Sequence, residues 1–153
     1  MLNRTSGFAI MNSGTIPMFG DANFDGYASL KTSDGTHDLM GDLNLTVSFL
    51  NNRSSGQITQ IVDANNAAVT GSLSLGQGGL NRTANPNITS HTLGTLMGSL
   101  AQGGDQMVVN GFYAIDLRGA SAQAIGGTVS GTIATNGAPP VGFNGTAIGE
   151  LQP

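Results

Sequence analysis

The sequence predicts an all-β fold: a single soluble, antiparallel, eight-stranded β-barrel in which successive strands run up and down as a meander. Three observations predict it. Apolar and polar residues alternate with period two in several segments. Helical spacing never persists for three turns, in a chain whose 24 glycines would each weaken a helix interior. Clusters of Gly, Asn, Asp and Pro interrupt the alternation at short intervals, as chain reversals require.

The predicted strands lie near residues 24–31, 42–49, 55–62, 67–75, 89–100, 106–117, 124–134 and 141–149. The second is the clearest: Leu43, Leu45, Val47 and Phe49 share one face, and Asn44, Thr46 and Ser48 the other. The fourth places Val69, Leu73 and Leu75 on one side, and the seventh sets Val129 and Ile133 across Gly131. The connections read as "KTSDGTHD", "LNN", "DANN", "GQGGLNRTANPN", "AQGGD" and "TNGAPP", most of them short enough for antiparallel neighbours. Eight such strands close into a barrel whose bore is filled by side chains or holds one small ligand. Residues 1–21 are read as an N-terminal arm and 22–153 as the barrel domain.

Composition excludes several function classes. Only 9% of residues are charged, against roughly a quarter in an average domain, and five cations face nine acids without a basic cluster. Nucleic acid is therefore not an expected partner, since phosphate binding needs a concentrated positive surface. No apolar run approaches the ~20 residues of a spanning helix. The outward positions Asn44, Thr46, Ser48, Ser72, Ser74, Ser130 and Thr132 are hydroxyls and amides, not a lipid-facing belt, so no membrane insertion is expected. Cysteine is absent, which removes disulfides and thiolate chemistry. The first twenty residues contain no apolar core of about 7–15 residues and do not read as a secretory signal.

Three stretches carry a family resemblance. In "GDLNLTVSFLNNRSSGQIT", Leu45, Val47 and Phe49 precede a turn with Ser55 and Gly56. In "NGFYAIDLRGASAQAIGGTVSGTIAT", Gly111, Phe112, Tyr113, Ala122, Gly126, Gly127 and Gly131 fall in order, and "VGFNGTAIGE" closes the chain. Together they resemble the β-barrel domain of the transferrin-binding protein B family of bacterial surface lipoproteins. Ala114 stands where that family usually has Gly, and Gln123 where it usually has Glu. The resemblance implies a barrel displayed on a surface that holds a partner through its loops.

"DANFDG" opens like a calcium loop, with Asp21, Asn23 and Asp25 as candidate ligands ahead of Gly26. Loop position 12, where a bidentate Glu belongs, is Thr32, and flanking helices are missing. The family resemblance instead makes Phe24-Asp25-Gly26 the start of the first strand. The only histidines, His37 and His91, lie in turn sequence; His37 reads as an exposed hairpin turn beside Asp34 and Asp38, and His91 as a surface residue. Asp116 and Arg118 are placed two apart on one strand face, as a local ion pair or small polar contact site. Arg82 and Asn85 in the longest polar loop, together with Arg118 and Asp116, are the candidate partner contacts, because recognition is usually carried on loops over a rigid scaffold.

No catalytic residues and no cofactor are assigned, because no nucleophile, base and orienting group assemble from this inventory. The expected function is non-enzymatic: a binding or attachment module on a cell surface or in the extracellular space, recognising a protein or carbohydrate. The alternative is a structural or attachment protein of a phage-like particle or virion. A homo-oligomer is compatible with the low charge.

Overall fold

The computed structural model describes residues 16–82, 90–119 and 122–152, and among them it forms eight strands and no helix. These are β1 (Asp21–Thr32), β2 (Asp38–Ser48), β3 (Arg53–Val62), β4 (Thr70–Leu80), β5 (Thr92–Gln102), β6 (Asp105–Arg118), β7 (Ala124–Thr135) and β8 (Val141–Leu151). Each pairs antiparallel with the next, and β8 returns to β1, so the sheet is a closed up-and-down barrel. Closure removes both sheet edges, so every strand has a ladder partner on either side.

Period-two alternation sets what fills the bore. Leu43, Leu45 and Val47 of β2, Leu73 and Leu75 of β4, and Val129 and Ile133 of β7 all face inward and are buried, as their spacing predicts. Phe24, Ile58, Leu96 and Ile115, each 0% exposed, complete a core to which all eight strands contribute. The barrel interior is filled by packed apolar side chains.

Two strands break the alternation. In β3, Gln60 adopts a left-handed φ of 53°, so Ile61 follows Ile58 into the core while Gln60 stays exposed. In β4 the register with β5 shifts between Leu75 and Gly79. "GQGG" is therefore a bulge inside a strand that runs on to Leu80, not the start of the loop read from the sequence. The arm also differs from that reading at its inner end. β1 begins at Asp21, and Ile16 is buried against the barrel.

Candidate functional site

In a meander, alternate hairpins emerge at opposite ends. One end gathers the β2–β3 turn, the β4–β5 and β6–β7 loops, the arm from Ile16 and the C-terminus. The opposite end carries the β1–β2, β3–β4, β5–β6 and β7–β8 turns. Both loops singled out in the sequence thus fall at the first end. So do Arg53, Arg82 and Arg118, the arginines among the described residues, whereas Asp34, Asp38, Asp63 and Asp105 lie at the other.

Arg82 ties this end together. Its Nε donates to Asn52 Oδ1 at 2.6 Å, one terminal nitrogen donates to the Phe49 carbonyl at 2.6 Å, and the other reaches the Ile16 carbonyl at 3.4 Å. The planar guanidinium suits this role, since its fixed fork satisfies several acceptors at once. Arg82 therefore clamps the arm and the β2–β3 turn to the base of the β4–β5 loop. The amide of Phe49 donates to the Gly20 carbonyl at 2.9 Å and pins the arm a second time. Asn85 lies outside the described residues.

The clamp leaves three large apolar side chains in solvent. Met18, Phe19 and Leu50 are exposed by 70%, 76% and 70%. They flank one node: the Met18 sulfur lies 3.8 Å from an Arg82 nitrogen, and residues 19 and 50 adjoin the bonded pair Gly20 and Phe49. Nothing in the sequence alternation marks them, because they belong to loops whose placement depends on the barrel closing.

His91 is not the surface residue expected from its turn sequence; it is fully buried. Its backbone N–H donates to Asp116 Oδ1 at 3.2 Å, and its ring Nδ1 accepts the Leu117 N–H at 3.1 Å. These side chains continue the β5–β6 ladder past its last backbone pair, Thr92 with Ile115. Accepting at Nδ1 requires the Nε2–H form of the ring, so the 3.8 Å approach of Nδ1 to Asp116 is not an ion pair. Asp116 is likewise only 9% exposed, which corrects the reading of an exposed Asp116–Arg118 contact site. Arg118 is half-buried, its guanidinium lying over Gly126 of β7, where an added Cβ would come within 2.8 Å of Nε. That Nε is enclosed without a hydrogen-bond partner among the described residues.

Below this layer, inside the bore, Tyr113 is buried with its hydroxyl 2.8 Å from Ser54 Oγ and donating to the Gly76 carbonyl at 2.9 Å. Burial pushes its pKa above the ordinary 10.0, and the Ser54 hydrogen bond opposes that shift. The β4 bulge presents the Gly76 carbonyl, and Gly78 and Gly94 leave room for the ring. A Cβ at Gly78 would stand 2.6 Å from the hydroxyl, and one at Gly94 would stand 2.5 Å from a ring carbon.

At the far end, His37 is half-buried, and its Nε2 is hydrogen-bonded to Thr135 Oγ1 at 3.0 Å, which fastens the β1–β2 turn to β7. Asp34 accepts from the Thr36 backbone and hydroxyl, and these bonds hold its pKa below the ordinary 3.8. Asp63 accepts from the backbone of Asn65 and Ala67 and from Gln102 Nε2. Its pKa is lowered, chiefly by the Ala67 bond and then by Gln102.

The calcium candidates Asp21, Asn23 and Asp25 are alternate, outward positions of β1. Successive same-face residues on a strand stand roughly 6–7 Å apart and do not curl around one ion. Asn23 accepts from Thr46 and Asp25 from Asn44, both at 2.6 Å, as cross-strand pairs with β2. Among the described residues no group of three or more His, Asp or Glu converges as a metal site. No protein-family model matches this chain, and no curated protein matches it significantly.

Proposed function

We propose that this protein is a non-enzymatic binding module that engages a protein partner through the loop end of the barrel. The observation that carries the reading is the exposed trio Met18, Phe19 and Leu50, held on one rim by the Arg82 clamp. Exposed apolar groups on a rigid frame are the usual anchors of protein recognition, because burying them against a partner costs little ordering entropy. The packed bore argues for recognition on the exterior. The sequence resemblance to the transferrin-binding protein B barrels supports the same mode, a displayed barrel that binds with its loops, on a cell or particle surface.

The test is selection of a peptide display library, alongside a glycan array, on the immobilised full chain. Selected peptides should carry aromatic or aliphatic anchors and lose about tenfold or more in affinity for a Phe19→Ser, Leu50→Ser double variant. Failure to enrich any peptide, or equal binding to the double variant, would overturn the proposal. A second reading, a structural or attachment module of a phage-like particle, is favoured by the uncharged wall described next. A solution ring of three or more copies would support that alternative.

A further inference from the structure

We propose that the wall formed by β4, β5, β6 and β7 is a self-complementary interface through which two copies of this chain pair about a two-fold axis. Four large apolar side chains point outward there: Leu93 and Met97 of β5, and Val108 and Phe112 of β6, with Phe112 66% exposed. Register makes them one patch. Phe112 lies opposite Thr95, Met97 opposite Asn110 and Leu93 opposite Ala114, so Leu93 and Met97 are the diagonal neighbours of Phe112 across the β5–β6 seam. On the other flank Phe112 meets Ser130 of β7, and Met97 meets Ser74 of β4.

Charge selects a second copy as the occupant. β4, β5 and β7 contain no charged residue, and in β6 the charged residues are Asp105 and Arg118 at the two ends and the buried Asp116. The opposite wall, from β1, β2 and β8, carries Asp21, Asp25, Lys31, Asp38, Asp42 and Glu150. An isologous contact sets each patch against its own copy, so acids in it would meet acids. In a chain of net charge −4, the β4–β7 wall avoids that repulsion and offers apolar groups at its centre. The four strands make half of the closed wall and curve away on either side, so the contact centres on the β5–β6 seam, where Phe112, Leu93, Met97 and Val108 stand outward.

Sedimentation velocity of the full chain over a broad concentration series tests this. The wild-type protein should show a monomer–dimer equilibrium, and Phe112→Asp should raise the dissociation constant by about 30-fold or more while leaving the circular dichroism spectrum unchanged. The Phe19→Ser, Leu50→Ser variant should dimerise as the wild type does. A wild-type monomer at every concentration, a closed ring of three or more copies, or a dimer insensitive to Phe112→Asp would overturn the proposal. Dimerisation lost through the loop-end variant would overturn it as well, by placing the contact at the other site.

Discussion

Tyr113 shows how one residue organises its surroundings. A phenol inside an apolar bore needs partners, because leaving a buried hydroxyl or carbonyl unsatisfied costs about 1–3 kcal/mol. Ser54 and the Gly76 carbonyl supply them, and Gly78 and Gly94 leave out the Cβ atoms that would collide with the ring. Tyr113→Phe should therefore lower unfolding free energy by about 1–3 kcal/mol in urea titrations, with Ser54→Ala less than additive to it. The raised pKa adds a pH signature. The folded state holds the phenol proton more tightly than the unfolded chain, so its contribution is complete below the ordinary value of 10.0 and is lost as pH rises through the folded value. Urea midpoints of the wild type should fall above about pH 10, and that component should vanish in Tyr113→Phe.

Hairpins at the far end are secured by local groups as well as by distant bonds such as His37 to Thr135 and Gln102 to Asp63. Asp34 and Asp63 supply the local part, as carboxylates accepting backbone N–H groups two to four residues on. Such residues are legible in "TSDGTHD" and "VDANNAA", where short polar side chains already predict turns. Because the folded pKa of Asp63 lies below 3.8, its hold on the β3–β4 turn is complete above that value and is lost as pH falls through the lower, folded one. Protection of the Asn65 and Ala67 amides, taken relative to their intrinsic exchange rates, should fall as pH drops below about 3.8, and Asp63→Asn should remove this acid dependence. At the loop end the securing groups come from segments far apart in the chain, as Arg82 and Asn52 or His91 and Asp116 do. Neither pairing has a local sequence signature, which is why Arg82 reads from sequence as a partner contact and His91 as a surface residue.

For the whole molecule, closure is the defining event. The β1–β8 seam joins residues as far apart as Phe24 and Leu151, and within it the hydroxyls of Ser29 and Thr146 lie 3.1 Å apart across 117 positions. The loop-closure entropy of that pairing must be met before its contacts stabilise anything, and barrels dominated by distant pairings fold slowly. Stopped-flow refolding should relax in milliseconds to seconds, and substitutions confined to the β1–β8 seam should mainly accelerate unfolding. Fluorescence and circular dichroism should report one coincident equilibrium transition, since a single core joins all eight strands.

Local chemistry in the sequence determined the strands, their inward faces and their order. A side chain's direction on a strand follows from its parity, and Gly, Asn and Asp clusters reverse the chain wherever they fall. That reasoning put Leu45, Val47 and Phe49 in the core, where the structure has them. Parity fails at a bulge, because one inserted residue exchanges the faces, and whether a bulge forms depends on the opposing strand and on what must fit between. Tertiary structure alone therefore decided that Ile61 enters the core, that "GQGG" seats Tyr113, that His91 is buried, and that Met18, Phe19 and Leu50 share a rim. Each results from groups far apart in the chain being brought to one place when the eighth strand meets the first.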